Sequence, residues 1–185
     1  MEGNRYLRGE SCLVRKPRRL QRIHIIGSVG SGKTTLAKEL SKKLKIPHYE
    51  LDQVVWNRTN VGDVRNSINV RDEQFHQIIA SESWVVEGVH HEWIYDGLQK
   101  ADIIVFLDVR IKMRKWRIWK RFVKQILRIE PSHYRPSLRI LRKMFIWNRQ
   151  FEKENRPEIL NILKEFSHKT WIVSSSEEIK KALLR

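Results

Sequence analysis

The sequence of 185 residues contains a single cysteine, Cys12. One thiol cannot close an internal disulfide, and it cannot form a cysteine-rich zinc site. No stretch is apolar for long enough to span a bilayer, and the N-terminus lacks the apolar core of a secretory signal. Neither internal repeats nor low-complexity tracts occur. The length of 185 residues predicts one globular domain, and the absences of a signal, a membrane span and a cysteine framework predict a reducing, cytoplasmic compartment.

Basic residues outnumber acidic residues, and the imbalance is confined to two segments. Aspartate and glutamate number 21 against 37 lysines and arginines, so the formal net charge is +16. Residues 1–22 carry seven basic and two acidic side chains, and residues 110–149 carry fourteen basic and one acidic. Basic patches of this kind suit polyanions such as nucleotides, nucleic acid or anionic lipid.

The first basic stretch is weakly periodic, and we interpret residues 1–20 as an extension ahead of a domain over 21–185. The extension is either a solubilising tail or a nucleic-acid-binding arm.

A phosphate-binding loop of the pattern G-x-x-x-x-G-K-[ST] occupies residues 27–34, GSVGSGKT. A short β-branched strand precedes it and helical apolar spacing follows it, which is the context that this motif requires. Glycines let backbone N–H groups converge on an anion, and the helix N-terminus adds its positive dipole. We expect Lys33 to reach the β- and γ-phosphates and the Thr34 hydroxyl to ligate Mg²⁺. The residues expected to bind ATP here are Gly27, Ser28, Gly30, Ser31, Gly32, Lys33, Thr34 and Thr35.

Strands and helices alternate along the rest of the chain. Strands are predicted over 22–26, 48–52, 83–88, 101–108 and 169–173, and helices over 33–44, 71–81, 110–129, 137–154, 157–166 and 176–184. Residues 57–70 are polar and predict a turn-rich connection. The order predicts an α/β, three-layer P-loop NTPase fold with a parallel sheet, whose ligand lies at the carboxyl ends of the strands.

Three acidic residues end predicted strands: Asp52, Glu87 and Asp108. Each alone is also compatible with a cap for the next helix. All three at the ligand edge favour metal ligation and activation of an attacking hydroxyl. Asp108 follows an apolar run, and we expect it to hold Mg²⁺ directly or through water.

The segment after Asp108 has basic residues at helical spacing. One face carries Arg114, Arg117, Arg121, Lys124 and Arg128, and a second set carries Arg135, Arg139, Arg142 and Arg149. An apolar stripe runs beside the first face: Trp116, Trp119, Val123, Ile126 and Leu127. Two basic helices around a proline-bracketed turn predict a basic helical lid over about residues 122–142, which closes on polyphosphate. The alternative is a solvated basic face.

Some aromatic and histidine residues leave their roles open. Trp56 and Trp147 are placed to stack on a base or a sugar, or else to pack in the core. His90-His91 has no cysteine or histidine partner at metal spacing, and we interpret the pair as a loop.

The order of these features resembles the adenylate kinase-like P-loop kinases, and within them the bacterial DNA topology modulation proteins. The matching stretches lie within residues 22–175: IIGSVGSGKTTLAKEL, ELDQVVW, SWVVEGVH, ADIIVFLDV, RIWKR and FIWN.

The resemblance implies roles for particular residues. Gly27 to Thr34 would bind the ATP phosphates and Mg²⁺, Arg117 would stack on adenine, and Arg121 would contact phosphate. Glu87-Gly88 matches the Asp-Gly of the acceptor site, and Asp52 matches an acidic residue on the acceptor side. Two features differ from the family pattern: Arg110 replaces a proline, and the Asp-Gly-Phe-Pro-Arg run of adenylate kinases is absent at Glu87-Gly88, so its arginine for an acceptor phosphate is missing.

These features predict an ATP-dependent kinase that transfers the γ-phosphoryl group to an unidentified small-molecule or nucleotide acceptor. The catalytic candidates are Lys33, Asp52, Glu87 and Arg121, with either Asp52 or Glu87 as the base and with ATP and Mg²⁺ as cofactors. The basic segments favour an alternative: a nucleic-acid-binding protein with ATP as a switch. A GTPase is disfavoured because no Asn-Lys-x-Asp motif occurs.

Overall fold

The computed structural model describes residues 20–59, 62–130 and 136–183. The strands among them are β1 Arg22–Gly27, β2 His48–Glu50, β3 Trp56–Thr59, β4 Gly62–Arg65, β5 Trp84–Gly88, β6 Ile103–Leu107 and β7 Thr170–Val173. The helices are α1 Lys33–Leu44, α2 Leu51–Val55, α3 Ile68–Ala80, α4 Tyr95–Lys100, α5 Ile111–Ile126, α6 Leu138–Gln150, α7 Arg156–Glu165 and α8 Ser176–Leu183. A π-helical turn, Phe151–Asn155, joins α6 to α7, and a 3₁₀ turn, Ser167–Lys169, precedes β7.

Five strands form a parallel sheet in the order β2-β5-β1-β6-β7. The central strand β1 pairs with β5, where Ile25 lies beside Glu87, and with β6, where Gly27 lies beside Leu107. Every residue of β5 and β6 is buried, as expected of strands covered on both faces.

Helices cover both faces of the sheet and complete the predicted three layers. Leu36 of α1 and Ile179 of α8 pack in the core on one face. Phe75 of α3 and Ile159 of α7 pack on the other, together with side chains of α2 and α4. The predicted α/β fold is confirmed.

The prediction that Asp52 ends a strand is wrong. Strand β2 ends at Glu50, and Asp52 lies in the first turn of α2. Leu51, Val54 and Val55 are buried at helical spacing, so packing against the core favours a helix here.

Residues 57–70 contain more regular structure than their polar composition predicts. Strands β3 and β4 pair as an antiparallel hairpin outside the main sheet. The apolar side chains described in this hairpin, Trp56 and Val64, are exposed, so they form no buried face that would show as an alternating pattern in the sequence. Helix α3 begins at Ile68, earlier than predicted, because the Ser67 side chain accepts a hydrogen bond from the Val70 N–H.

The predicted helix over 137–154 ends earlier, at Gln150, and passes through the π-helical turn into α7. Lid residues 131–135, including Arg135, and extension residues 1–19 lie outside the described residues. The lid and domain boundaries therefore stay predictions. In the described part of the chain, no helix has the length and apolarity needed to cross a membrane.

Candidate nucleotide-binding site

The glycine-rich loop connects the end of the central strand to helix α1, as predicted. Gly30 and Gly32 have φ angles of +75° and +96°, in the region that glycine adopts without strain. A Cβ at Gly30 would lie 2.9 Å from the Arg114 carbonyl oxygen, so the loop and α5 meet backbone to backbone. No side chain caps the N-terminus of α1, which leaves its first N–H groups for an anion.

Three side chains meet at the start of α1. The Thr34 hydroxyl donates a hydrogen bond of 2.5 Å to Glu87 Oε1, and Lys33 Nζ lies 3.6 Å from Glu87 Oε2. Glu87 is 3% exposed, and β5 places it here because that strand pairs directly with β1. A threonine hydroxyl beside a carboxylate offers the oxygen ligands that Mg²⁺ prefers, and Lys33 balances the buried negative charge.

The edge strand β2 extends this cluster. Glu50 pairs in register with Glu87, and ligand atoms of His48, Glu50 and Glu87 lie within 4.8 Å of one another. Lys38 Nζ lies 3.6 Å from Glu50. Burial lowers the pKa of His48, and the two glutamates oppose this shift.

Asp108, the predicted metal ligand, has a different neighbour. Its two carboxylate oxygens accept hydrogen bonds from Arg156 Nε at 2.8 Å and Nη2 at 2.7 Å. This paired contact raises the pKa of Arg156. A role for Asp108 in holding Mg²⁺ stays a prediction, whereas Glu87 is the carboxylate in contact with Thr34.

The basic face of α5 is divided by the structure. Arg114 is buried beneath the loop and pairs with Glu152, and Arg117 Nη1 donates a hydrogen bond of 2.7 Å to the Ser31 carbonyl. Arg121, a predicted catalytic residue, is exposed and has Glu130 at 3.6 Å. Arg117 therefore lies at the loop, and Arg121 lies a turn further along α5.

A series of contacts that sequence reasoning did not assign runs from Asp52 through His90 and Trp93 to Arg71. His90 Nε2 lies 3.4 Å from Asp52 Oδ1, and the His90 ring lies 5.2 Å from the Trp93 ring. The Arg71 guanidinium lies 4.6 Å over the same indole. His91, its sequence neighbour, is buried and contacts Glu158 at 2.8 Å, so the two histidines have different environments.

A glycine loop at the end of the central strand, with its lysine and threonine opening the next helix, defines a P-loop nucleotide-binding protein. The chain belongs to the AAA domain family, whose model matches residues 23–126, more than half of the sequence.

Individual proteins are similar to this chain at a lower level. It is 26% identical over 111 residues to YqaC, an uncharacterized protein of Bacillus subtilis (strain 168), in a match that covers 57% of this chain and 61% of YqaC. It is 27% identical over 133 residues to a shikimate kinase of Francisella tularensis, covering 65% and 74%. The chain thus spans about three fifths of the length of YqaC.

A solved structure supports the fold. The shikimate kinase from Acinetobacter baumannii in complex with shikimate has a TM-score of 0.55 and 16% identity, with 89% of this chain and 91% of that chain covered. The predicted P-loop kinase-like fold is confirmed. The closer resemblance to adenylate kinases and to DNA topology modulation proteins stays a prediction.

Proposed function

We propose that this protein is an ATP-dependent kinase that transfers the γ-phosphoryl group to a hydroxyl of a small molecule. The observation that carries the proposal is the meeting of Lys33, Thr34 and Glu87 beneath a glycine loop whose helix N-terminus has no side-chain cap. This arrangement combines backbone N–H donors, the Lys33 ammonium and two oxygen ligands at one point, as phosphoryl transfer requires.

The nucleotide and its metal have separate contacts in this proposal. Thr34 and Glu87 would hold Mg²⁺, which neutralises charge on the phosphates when it is bound. Lys33 would bind the β- and γ-phosphates, and Arg117, already at the loop, would contact the adenine or the phosphates.

Asp52 is the better candidate for the base. Glu87 is buried and its carboxylate contacts both Thr34 and Lys33, so it is less accessible to an acceptor than Asp52. The Asp52 side chain is 54% exposed and lies beside His90. A solvent-accessible carboxylate next to an imidazole can accept the proton of an acceptor hydroxyl.

The residues near Asp52 also indicate which chemical class of acceptor the site would bind. The residues directly after Glu87-Gly88 are Val89, His90 and His91, so the arginine that would hold an acceptor phosphate in the family pattern is missing at this position, which favours a hydroxyl compound over a nucleoside monophosphate. The shikimate kinases that are similar to this chain act, by their name, on shikimate, which is a hydroxylated acid. For this chain we propose only that the acceptor carries a hydroxyl group.

Transfer of labelled γ-phosphate from ATP to a panel of acceptors tests the proposal. The panel holds shikimate, sugars, nucleosides and nucleoside monophosphates. Lys33→Ala should abolish labelling, whereas Lys43→Ala, the same change on the exposed far end of α1, should leave it unchanged. Labelling that survives Lys33→Ala would contradict the role of the loop, and labelling of monophosphates alone would contradict the hydroxyl acceptor.

A further inference from the structure

Helix α5 turns its apolar side outward. The residues buried against the body are Arg114, Ile118 and Gln125. On the opposite side, Trp116 and Trp119 are 54% and 47% exposed, and Met113, Ile126 and Leu127 are exposed with them. A surface helix of a globular domain ordinarily buries its apolar stripe, so α5 is inverted.

The two tryptophans form one surface. Their rings stack at a centroid distance of 5.5 Å with an interplanar angle of 21°. We call the exposed set the tryptophan face; its members are Met113, Trp116, Trp119, Ile126 and Leu127. A contiguous apolar patch rimmed by polar residues marks an interaction site.

Lysines border this face. Lys112, Lys115 and Lys120 are exposed on the same helix and flank the two tryptophans, two before Trp116 and one after Trp119. The whole segment 110–149 carries fourteen basic residues against one acidic residue. The partner must therefore be apolar in part and negatively charged.

Charge narrows the choice of partner. The extension, residues 1–20, is basic, and a second copy of the chain also carries +16, so either would place like charges together on this face. A nucleic acid would satisfy the lysines and could stack on the indoles, but it offers no apolar partner for Ile126, Leu127 and Met113. An anionic bilayer surface offers negative charge to the lysines, an interfacial region to the indoles and an apolar interior to Met113, Ile126 and Leu127.

We propose that the tryptophan face docks the protein on anionic lipid bilayers. Helix α5 lies in the plane of the interface, with Trp116 and Trp119 at the headgroup level and the lysines extended toward lipid phosphates. Because the phosphate loop contacts the other side of α5 through Arg114 and Arg117, the docked protein keeps its nucleotide site free. The proposal is independent of the kinase activity.

Sedimentation of the full chain with vesicles tests it. We expect binding to vesicles of mixed phosphatidylcholine and phosphatidylglycerol, weak binding to phosphatidylcholine alone, and loss of binding as salt is raised. Replacing Lys112, Lys115 and Lys120 by glutamine should weaken the partition coefficient on the order of a hundredfold. The matched control replaces three exposed lysines elsewhere, Lys42, Lys43 and Lys100, and should cause a much smaller loss.

A second variant separates docking from bulk charge attraction. Trp116→Ser with Trp119→Ser keeps every lysine, and it should abolish the shift of tryptophan emission to shorter wavelength on vesicle addition and weaken binding at least tenfold. Equal binding by the lysine variant and its control would overturn the proposal. So would retention of a single-stranded oligonucleotide without vesicle binding, or a dimer in solution that the tryptophan variant dissociates.

Discussion

His24 lies on the central strand β1, fully buried, with neither ring nitrogen hydrogen-bonded. Its ring meets Trp84 edge to face at 6.2 Å, and a Cβ on Gly97 would lie 3.2 Å from its Nδ1. Burial lowers the pKa of His24 to about 3, so the folded protein holds it neutral.

This histidine makes the protein sensitive to acid. The unfolded chain binds a proton below pH 6.5 and the folded chain only near pH 3, so stability falls as the pH drops through this window. The loss should reach about 2 kcal/mol at pH 5. The free energy of unfolding, measured with urea, should therefore be lower at pH 5 than at pH 7.5, and His24→Leu should remove this contribution to the difference. His168→Gln, at an exposed site, should not; an equal pH dependence in His24→Leu and the parent would refute the assignment.

The two acidic candidates, Glu87 and Asp52, should respond differently to loss of charge. Glu87→Gln should raise the Mg²⁺ concentration needed for half-maximal turnover by roughly tenfold or more, because it removes the carboxylate beside Thr34. Asp52→Asn should lower kcat by about a hundredfold or more and leave the Mg²⁺ requirement unchanged. Titration of Mg²⁺ in the transfer assay measures both. Glu73→Gln, on the exposed side of α3, serves as the control.

At the scale of elements, a chain of ion pairs joins α5 to α7. Arg114 on α5 pairs with Glu152 of the π-helical turn, and Arg156 on α7 lies 3.9 Å from Glu152 and pairs with Asp108. The Arg114 guanidinium also lies 5.2 Å over the Phe151 ring, and burial lowers its pKa. These contacts fix the helix that covers the phosphate loop.

Replacing Glu152 should destabilise the protein more than replacing Arg114, its partner in the ion pair. Glu152→Gln leaves the buried Arg114 without its counter-charge and should lower the free energy of unfolding by roughly 2–3 kcal/mol. Arg114→Met removes the buried charge itself, and Glu152, which is partly exposed, can be solvated, so the loss should be smaller. Urea unfolding of both variants measures the two losses of unfolding free energy. A larger loss in Arg114→Met than in Glu152→Gln would contradict this prediction.

Local elements were the predictable part of this fold. The loop at 27–34 and helix α1 followed from adjacent residues, and their bounds agree with the structure. The hairpin β3–β4 could not be predicted because its sequence, WNRT and GDVR, has no alternation of apolar and polar residues. Asp52 was assigned to a strand because a three-residue strand and a five-residue helix are too short to show a period.

At the scale of the whole molecule, the contacts that build the site join distant residues. Thr34 and Glu87 are 53 positions apart, and Asp108 and Arg156 are 48 apart. The order of strands in the sheet determines which acidic residue lies beside the loop, and this order cannot be deduced from the spacing of residues along the sequence. The sequence therefore predicted the acidic candidates, and only the sheet distinguished the neighbour of Thr34 from the partner of Arg156.

Nucleotide binding should stabilise the entire domain. A non-hydrolysable ATP analogue with Mg²⁺ at about a hundred times its Kd adds about 2.7 kcal/mol and should raise Tm by roughly 5–10 °C. Lys33→Ala should abolish this shift, while Lys43→Ala should retain it. Scanning fluorimetry measures the change in Tm on addition of the analogue. An equal change in Tm in both variants would contradict nucleotide binding at the loop.

The central position of β1 also sets the order of events when the chain is made. Its two neighbours, β5 and β6, lie about 60 and 80 residues downstream, so synthesis must pass both before β1 can be flanked in the sheet. Such long-range pairing is slow, and until it is complete the apolar side chains of β1 lack their cover. The phosphate loop therefore reaches its final position in the sheet only after β5 and β6, the strands that flank β1, have been synthesised.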